Sequence, residues 1–243
     1  MRNLGRTAGK HPTSGCGDVR WHLVSDCATL QQAARRRVLE AAARAIEARS
    51  QFLLVLAGGK TPRSLYRLLR DGDTDWSRWH VYLGDERCLP PDDPDRNSRM
   101  VAEAWLDHVP VPSAQCHGPQ AELGAVVAAR LYAQALSSVD PFDLVLLGLG
   151  EDGHTASLFP GHDWGTADDS PDVLAILDAP IPPPQRVSLS AARLSRARAV
   201  LFLIDGEGKR DAVTRWRAGA DIPARAIRPP GGVDVLLEAS LLS

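Results

Sequence analysis

Cysteine is scarce and scattered in this 243-residue chain, with only Cys16, Cys27, Cys88 and Cys116. No C-x-x-C pair and no close His/Cys grouping occurs, so neither a disulfide scaffold nor a structural zinc module is indicated, and reduced thiols are expected. Long apolar runs are missing as well. Nothing approaches the 18 or so apolar residues of a membrane-crossing helix, and the N-terminal stretch, rich in Gly, Lys, Arg, Thr and Ser, has no apolar core of a secretory signal. An excess of one charge is also lacking: 28 Lys and Arg stand against 30 Asp and Glu, a formal net charge of -2 with a pI near 6.4. The chain therefore offers no overall basic field to nucleic acid or to an anionic membrane surface. Together these absences lead us to expect a cytoplasmic protein whose partner is neither nucleic acid nor membrane.

What is present is an ordinary globular composition, 44% hydrophobic and 24% charged, enough for one large core. Residues 1–18 are expected to be a flexible tail and residues 19–243 a single α/β domain. From Thr29 to Arg49, Leu30, Ala33, Ala34, Val38, Ala41, Ala42, Ala45 and Ile46 recur at three- and four-residue steps, the pattern of an amphipathic helix. Phe52–Ala57 is then a short continuous apolar run ending in Gly58-Gly59, which suits a strand buried on both faces. Thr61-Pro62 is expected to open a helix through about Leu69, with Thr61 as its cap. The unit recurs. Trp79–Leu83 reads as a strand and Asn97 or Ser98 as the cap of a helix towards Leu106. A helix is expected from Ala121 to Leu136 and a strand from Phe142 to Leu147. Arg186–Leu189 and Val200–Ile204 read as strands, with a helix from about Lys209 to Trp216. This alternation predicts an α/β fold: a mostly parallel sheet flanked by helices on both faces, with ligands at the carboxyl ends of the strands.

Four strand-end loops carry residues suited to an anionic substrate. In Gly58-Gly59-Lys60-Thr61-Pro62 two glycines let backbone N–H groups approach a phosphate at a helix N-terminus, although a bare Gly-Gly pair also serves a tight turn. In Gly84-Asp85-Glu86-Arg87 three charges follow a buried strand, where charge is costly unless paired or used. Arg87 could clamp phosphate; a structural ion pair is the alternative, above all for Glu86. In Gly148-Leu149-Gly150-Glu151-Asp152-Gly153-His154 the histidine is the natural general base or acid, and Asp152 could orient it. The other histidines, His11, His22, His80, His108, His117 and His162, are read as structural or exposed. In Gly206-Glu207-Gly208-Lys209 a lysine in a first helical turn is unfavourable for the helix dipole, a cost that an incoming anion would offset.

With these loops assembled, the chain resembles the 6-phosphogluconolactonase family, within the larger group of glucosamine-6-phosphate deaminases and ribose-5-phosphate isomerases. The resemblance runs from about Trp21 to Leu242 and rests on Gly58 to Pro62, Asp85-Glu86-Arg87, the Phe142 to Pro160 block, Gly206-x-x-Lys209 and Pro223-Ala224. Its most specific part is Asp152-Gly153-His154-Thr155-Ala156-Ser157-Leu158-Phe159-Pro160. It implies a modified Rossmann-like fold of the isomerase/deaminase/CoA-transferase-like group. It also implies hydrolysis of 6-phospho-D-glucono-1,5-lactone to 6-phosphogluconate, in the oxidative pentose phosphate pathway, without metal or organic cofactor, by a monomer or weak homodimer. By the same resemblance His154, Asp152 and Arg87 are catalytic, and Gly58, Gly59, Lys60, Thr61, Asp85, Asn97, Gly153 and Lys209 bind substrate.

Three positions depart from the family pattern. Lys60 stands where the family usually has serine, Arg96-Asn97-Ser98 replaces the usual Ser-Asn, and Val233–Glu238 replaces a Trp-containing acidic motif. One rival reading is a glucosamine-6-phosphate deaminase, but Ser157-Leu158-Phe159-Pro160 occupies the place of that family's Asn-Glu-Pro and its extra carboxylate. The other rival is a non-catalytic sugar-phosphate sensor, against which the retention of both Asp152 and His154 argues.

Overall fold

A computed structural model describes residues 18–139 and 141–242. The tail expected over residues 1–18 lies, apart from Asp18, outside the described residues. The strands are β1 (Val19–Val24), β2 (Phe52–Leu56), β3 (Trp79–Leu83), β4 (Asp85–Arg87), β5 (Cys116–His117), β6 (Leu144–Leu147), β7 (Val173–Ile176), β8 (Arg186–Leu189), β9 (Val200–Ile204) and β10 (Val233–Glu238). The helices are α1 (Cys27–Arg49), α2 (Lys60–Leu69), α3 (Asn97–Ala104), α4 (Ala125–Leu136), α5 (Ala191–Ser195), α6 (Arg210–Arg217) and α7 (Pro223–Ala226). Seven strands form one sheet in the order β1-β10-β9-β6-β2-β3-β5, every neighbouring pair parallel. A small antiparallel sheet, β4-β8-β7, stands beside it.

The continuous apolar runs of the central strands follow from burial on two sides. Phe52, Leu54 and Leu56 of β2 face α1 and α2, packing with Leu30, Ala34, Val38, Leu65 and the cluster Trp76, Trp79 and Trp105. Leu53 and Val55, pointing the other way, belong to a second cluster that takes in Ala128 and Tyr132 of α4, Val187 of β8 and Trp216 of α6. Each such fully buried side chain contributes roughly 1.5–3 kcal/mol, so both layers of helices are tied to the same strands. The expected α/β architecture with helices on both faces is what the chain adopts.

Local differences have physical reasons. Helix α1 begins at Cys27, two residues before the expected Thr29, because the Asp26 carboxylate caps it by accepting from the Thr29 N–H at 2.7 Å. Helix α2 begins at Lys60, one residue before Thr61, with Gly59 at φ 105° in the cap position. The helix expected over Ala121–Leu136 is interrupted by Gly124 at φ 85°, which separates a 3-10 turn from α4. Phe142 makes only a lone bridge to Ala197, and the strand starts at Leu144. Asp85-Glu86-Arg87 is a strand rather than a loop. Neither Asn97 nor Ser98 caps α3: the cap position is Arg96, and the cap itself is supplied from β4. Fully buried Glu86 accepts the N–H groups of Asn97 and Ser98 at 2.7 and 2.8 Å. A carboxylate there also meets the positive end of the helix dipole.

Candidate active site

Because the seven strands are parallel, their carboxyl ends share one edge, and there a cleft of about 790 Å³ opens. All four loops reach it. Gly58–Thr61 follow β2, Gly84, Asp85 and Arg87 follow β3, Gly148–Glu151 and His154 follow β6, and Asp205–Lys209 follow β9. Asn97 lines it too. Asp152 stands behind His154, and Gly153 is off the cleft wall, at φ 92° with Ile222 packed where a side chain would project. Gly153 is therefore a turn former here rather than a wall residue.

His154 is held by its own turn. Asp152 Oδ1 lies 2.6 Å from His154 Nδ1 and accepts the His154 backbone N–H at 3.0 Å. The Gly150 N–H donates to the His154 carbonyl at 2.7 Å. With Nδ1 facing the carboxylate, Nε2 is the ring nitrogen left for chemistry. Burial alone would raise the Asp152 carboxyl, but the hydrogen bonds and attraction of His154 leave it below its ordinary range. A Cβ on Gly150 would come within 3.0 Å of both His154 Nδ1 and Asp152 Oδ1. Gly150 thus makes room for the pair rather than for a ligand. The Phe159 ring packs against the imidazole, 4.9 Å between ring centres.

Gly58 follows the same principle. A Cβ there would collide with the Asn97 amide, so the glycine lets a helix side chain lie across the loop. Asn97 Nδ2 donates to the Asp85 carbonyl at 2.9 Å and to its carboxylate at 3.1 Å, while Ser157 Oγ donates to the other Asp85 oxygen at 2.6 Å. Asp85 and Asn97 both line the cleft, but they are bound chiefly to each other and to the Ser157 turn. Glu86 takes the structural alternative: besides capping α3 it pairs with Arg96 at 3.4 Å. Arg87 donates through Nη1 to the Asp95 carbonyl, and its Nε is buried without a partner.

On the opposite flank the Thr61 hydroxyl donates to Asp205, whose second oxygen accepts from Cys27 Sγ at 3.1 Å. That hydrogen bond, with burial and the negative charge of Asp205, pushes the Cys27 thiol up to about 11. The Gly206 N–H donates to Glu238 Oε2 at 3.1 Å. Lys60 and Lys209 line the cleft, and among the described residues neither has a carboxylate within ion-pair distance. Among those residues no group of three or more His, Cys, Asp or Glu side chains is arranged to hold a metal ion, and no helix is long and apolar enough to cross a membrane.

Sequence reasoning missed Arg186, Asp205, Glu238 and Cys27, all on the cleft wall. Asp205 directly follows β9, whose apolar run is legible in the sequence, so its position at the strand end is legible too. Glu238 ends β10 and Cys27 follows β1, two strands whose mixed sequences hid them. Arg186 begins an antiparallel strand, which a rule about carboxyl ends cannot find.

Residues 25–236 match the family described as glucosamine-6-phosphate isomerases/6-phosphogluconolactonase. The chain belongs to that family. It is 39% identical over 210 residues to a 6-phosphogluconolactonase of Mycobacterium tuberculosis, covering 81% of this chain and 85% of the relative. The solved structure of a 6-phosphogluconolactonase from Thermotoga maritima superposes with a TM-score of 0.83 at 28% identity, over 91% of this chain and all (100%) of that one. A monomeric glucosamine-6-phosphate deaminase shares the fold, with a TM-score of 0.76 at 22% identity over 92% of this chain and 98% of that one.

Proposed function

We propose that this protein is a 6-phosphogluconolactonase, hydrolysing 6-phospho-D-glucono-1,5-lactone to 6-phosphogluconate in the oxidative pentose phosphate pathway. The observation that carries the proposal is the His154–Asp152 pair set in one cleft with the cations Lys209, Lys60 and Arg87. The loops that carry Lys209 and Arg87 leave β9 and β3, strands three spacings of about 4.8 Å or roughly 14 Å apart, with the His154 strand between them. A sugar-phosphate lactone has matching polarity: its phosphate hangs from C6, across the ring from the C1 carbonyl. The phosphate goes to Lys209 and Lys60, with the N–H groups of Gly59 to Thr61 at the start of α2. The carbonyl goes towards Arg87.

In the reaction His154 Nε2 takes a proton from water as the oxygen attacks C1. Arg87 meets the negative charge that develops on the carbonyl oxygen. As the bond from C1 to the ring oxygen breaks, the imidazolium returns its proton to that oxygen. Asp152 holds the ring in place through its Nδ1 during the step. No metal or organic cofactor is assigned to any step. Gly58 and Gly153 serve by placing Asn97 and His154, and Asp85 and Asn97 by fixing the β4 wall. A single domain over residues 19–243, a monomer or weak homodimer in the cytoplasm, with no nucleic-acid or membrane partner, completes the proposal; the free thiols of Cys27, Cys88 and Cys116 accord with a reducing compartment.

The test is lactone hydrolysis measured against the spontaneous background, for the parent and for His154→Ala. A parent rate equal to background removes the lactonase reading; full activity in His154→Ala removes only the role of the histidine. Steady ammonia release from glucosamine 6-phosphate would favour a deaminase instead. Lys60→Ser should raise KM about 1.4- to fivefold, the effect of an exposed charge pair worth roughly 0.2–1 kcal/mol.

A further inference from the structure

Arg186 has no place in the chemistry assigned so far, yet it is one of the most deeply buried charges in the protein, 4% exposed. It lines the cleft and sits directly opposite Arg87 in the antiparallel pairing of β4 with β8. Side chains of directly paired residues share one face, with Cβ atoms about 4.5–5.5 Å apart, and like charges so placed repel. Among the described residues neither arginine has a carboxylate within ion-pair distance; the nearby Asp85 is engaged with Asn97 and Ser157. Burial and the charge of Arg87 lower the Arg186 guanidinium, against the attraction of Asp85. Two adjacent cations kept this way, in a protein that could place an uncharged residue at either position, call for an anion between them.

The remaining geometry says which anion. Arg186 Nε donates to the Pro183 carbonyl at 3.0 Å, and Nη2 to the Ile181 and Pro182 carbonyls at 2.7 and 3.2 Å. Nη1 has no hydrogen-bond partner among the described residues, as Arg87 Nε has none. The guanidinium also lies over the Phe159 ring at 5.4 Å, and the same ring packs against the His154 imidazole at 4.9 Å between ring centres. Arg186 is therefore held on the β4–β8 wall of the cleft, beside the histidine and on the far side of the His154 strand from the loop that carries Lys209. We propose that Arg186 and Arg87 together form the oxyanion site of the lactonase, Nη1 of Arg186 donating to the carbonyl oxygen of C1 as it gains charge, and to the carboxylate of the product.

This rests on the lactonase reading, and its test separates the two. The parent, Arg186→Gln and Arg186→Lys are assayed for lactone hydrolysis, and inorganic phosphate is used as a competitive inhibitor of each. Loss of one oxyanion donor typically costs about 10²–10³ in kcat. Arg186→Gln should fall in that range while its phosphate inhibition constant stays within twofold of the parent's. Arg186→Lys, which keeps a charge but cannot hold the carbonyls and reach the cleft together, should fall between the two. A parent at background overturns the lactonase reading. An active parent with Arg186→Gln retaining its kcat overturns only the assignment of Arg186. So does a rise of fivefold or more in the phosphate constant, which would place the phosphate at this end. Should Arg186→Gln fail to fold, Arg186→Lys decides by the same criteria.

Discussion

Gly150→Ala places one methyl group where His154 and Asp152 now sit. Gly150 does not have a positive φ, so alanine meets no backbone penalty, but its Cβ would come within 3.0 Å of His154 Nδ1 and of Asp152 Oδ1. The side chains can yield more easily than the backbone, because the imidazole is partly exposed, at 23%. The expected result is thus a folded protein with a displaced pair. A partly exposed pair is worth at most about 1 kcal/mol, which for a chain of this size lowers Tm by about 2–4 °C. Catalysis should suffer far more. Without a correctly placed general base the rate falls about 10²–10⁴-fold, or about 2.7–5.5 kcal/mol of barrier. Lactone hydrolysis above background and thermal unfolding, measured on the same preparation, give both numbers. Gly150→Ala with His154→Ala should be no worse than His154→Ala alone, since both act through one group. Activity of Gly150→Ala within threefold of the parent would refute the idea that this glycine exists to seat the pair.

Glu86→Ala would leave the first N–H groups of α3 buried without an acceptor, while Arg96 keeps Glu122, and should cost about 3 kcal/mol in the urea unfolding free energy; a loss below 1 kcal/mol would contradict the capping role. Asp234 is subject to burial, which raises it, but hydrogen bonds from Arg20 and His22 bring it to about 2. Its contribution to stability is then full above the ordinary carboxyl range near 4 and fades as pH falls towards 2. The partners are partly exposed, so that contribution is no more than about 1 kcal/mol. The Tm gap between the parent and Asp234→Asn should be widest at pH 5 and close by pH 2; a gap that widens in acid would show the sign to be wrong. Cys27, at about 11 against 9.0 for a free thiol, is kept protonated mainly by Asp205. Asp205→Asn should speed iodoacetamide labelling of Cys27, read by peptide mass, by up to roughly a hundredfold at pH 8. An unchanged rate would deny that hydrogen bond.

The sequence by itself determined the α/β class, the central strands and the four loops that line the cleft. Strands buried on both faces must be continuously apolar, as Phe52–Leu56 and Val200–Ile204 are, and helices covering them must repeat every three or four residues, as α1 does. Such rules act along the chain, so they can be read along it. Strands with other partners escaped. Val19–Val24 mixes polar and apolar residues because it lies at the sheet edge, and Asp85–Arg87 looks like a charged loop because its neighbour β8 is a hundred residues away. The site divided along the same line. His154 and Asp152 are two residues apart, and their pairing follows from that spacing. Glu86 as the cap of α3, Gly58 as the seat of Asn97, and Arg186 as the neighbour of Arg87 are contacts between segments distant in sequence. Only the folded sheet, by bringing β4 against β8 and α3 across the first loop, decided which charges hold the structure together and which are left to meet a substrate.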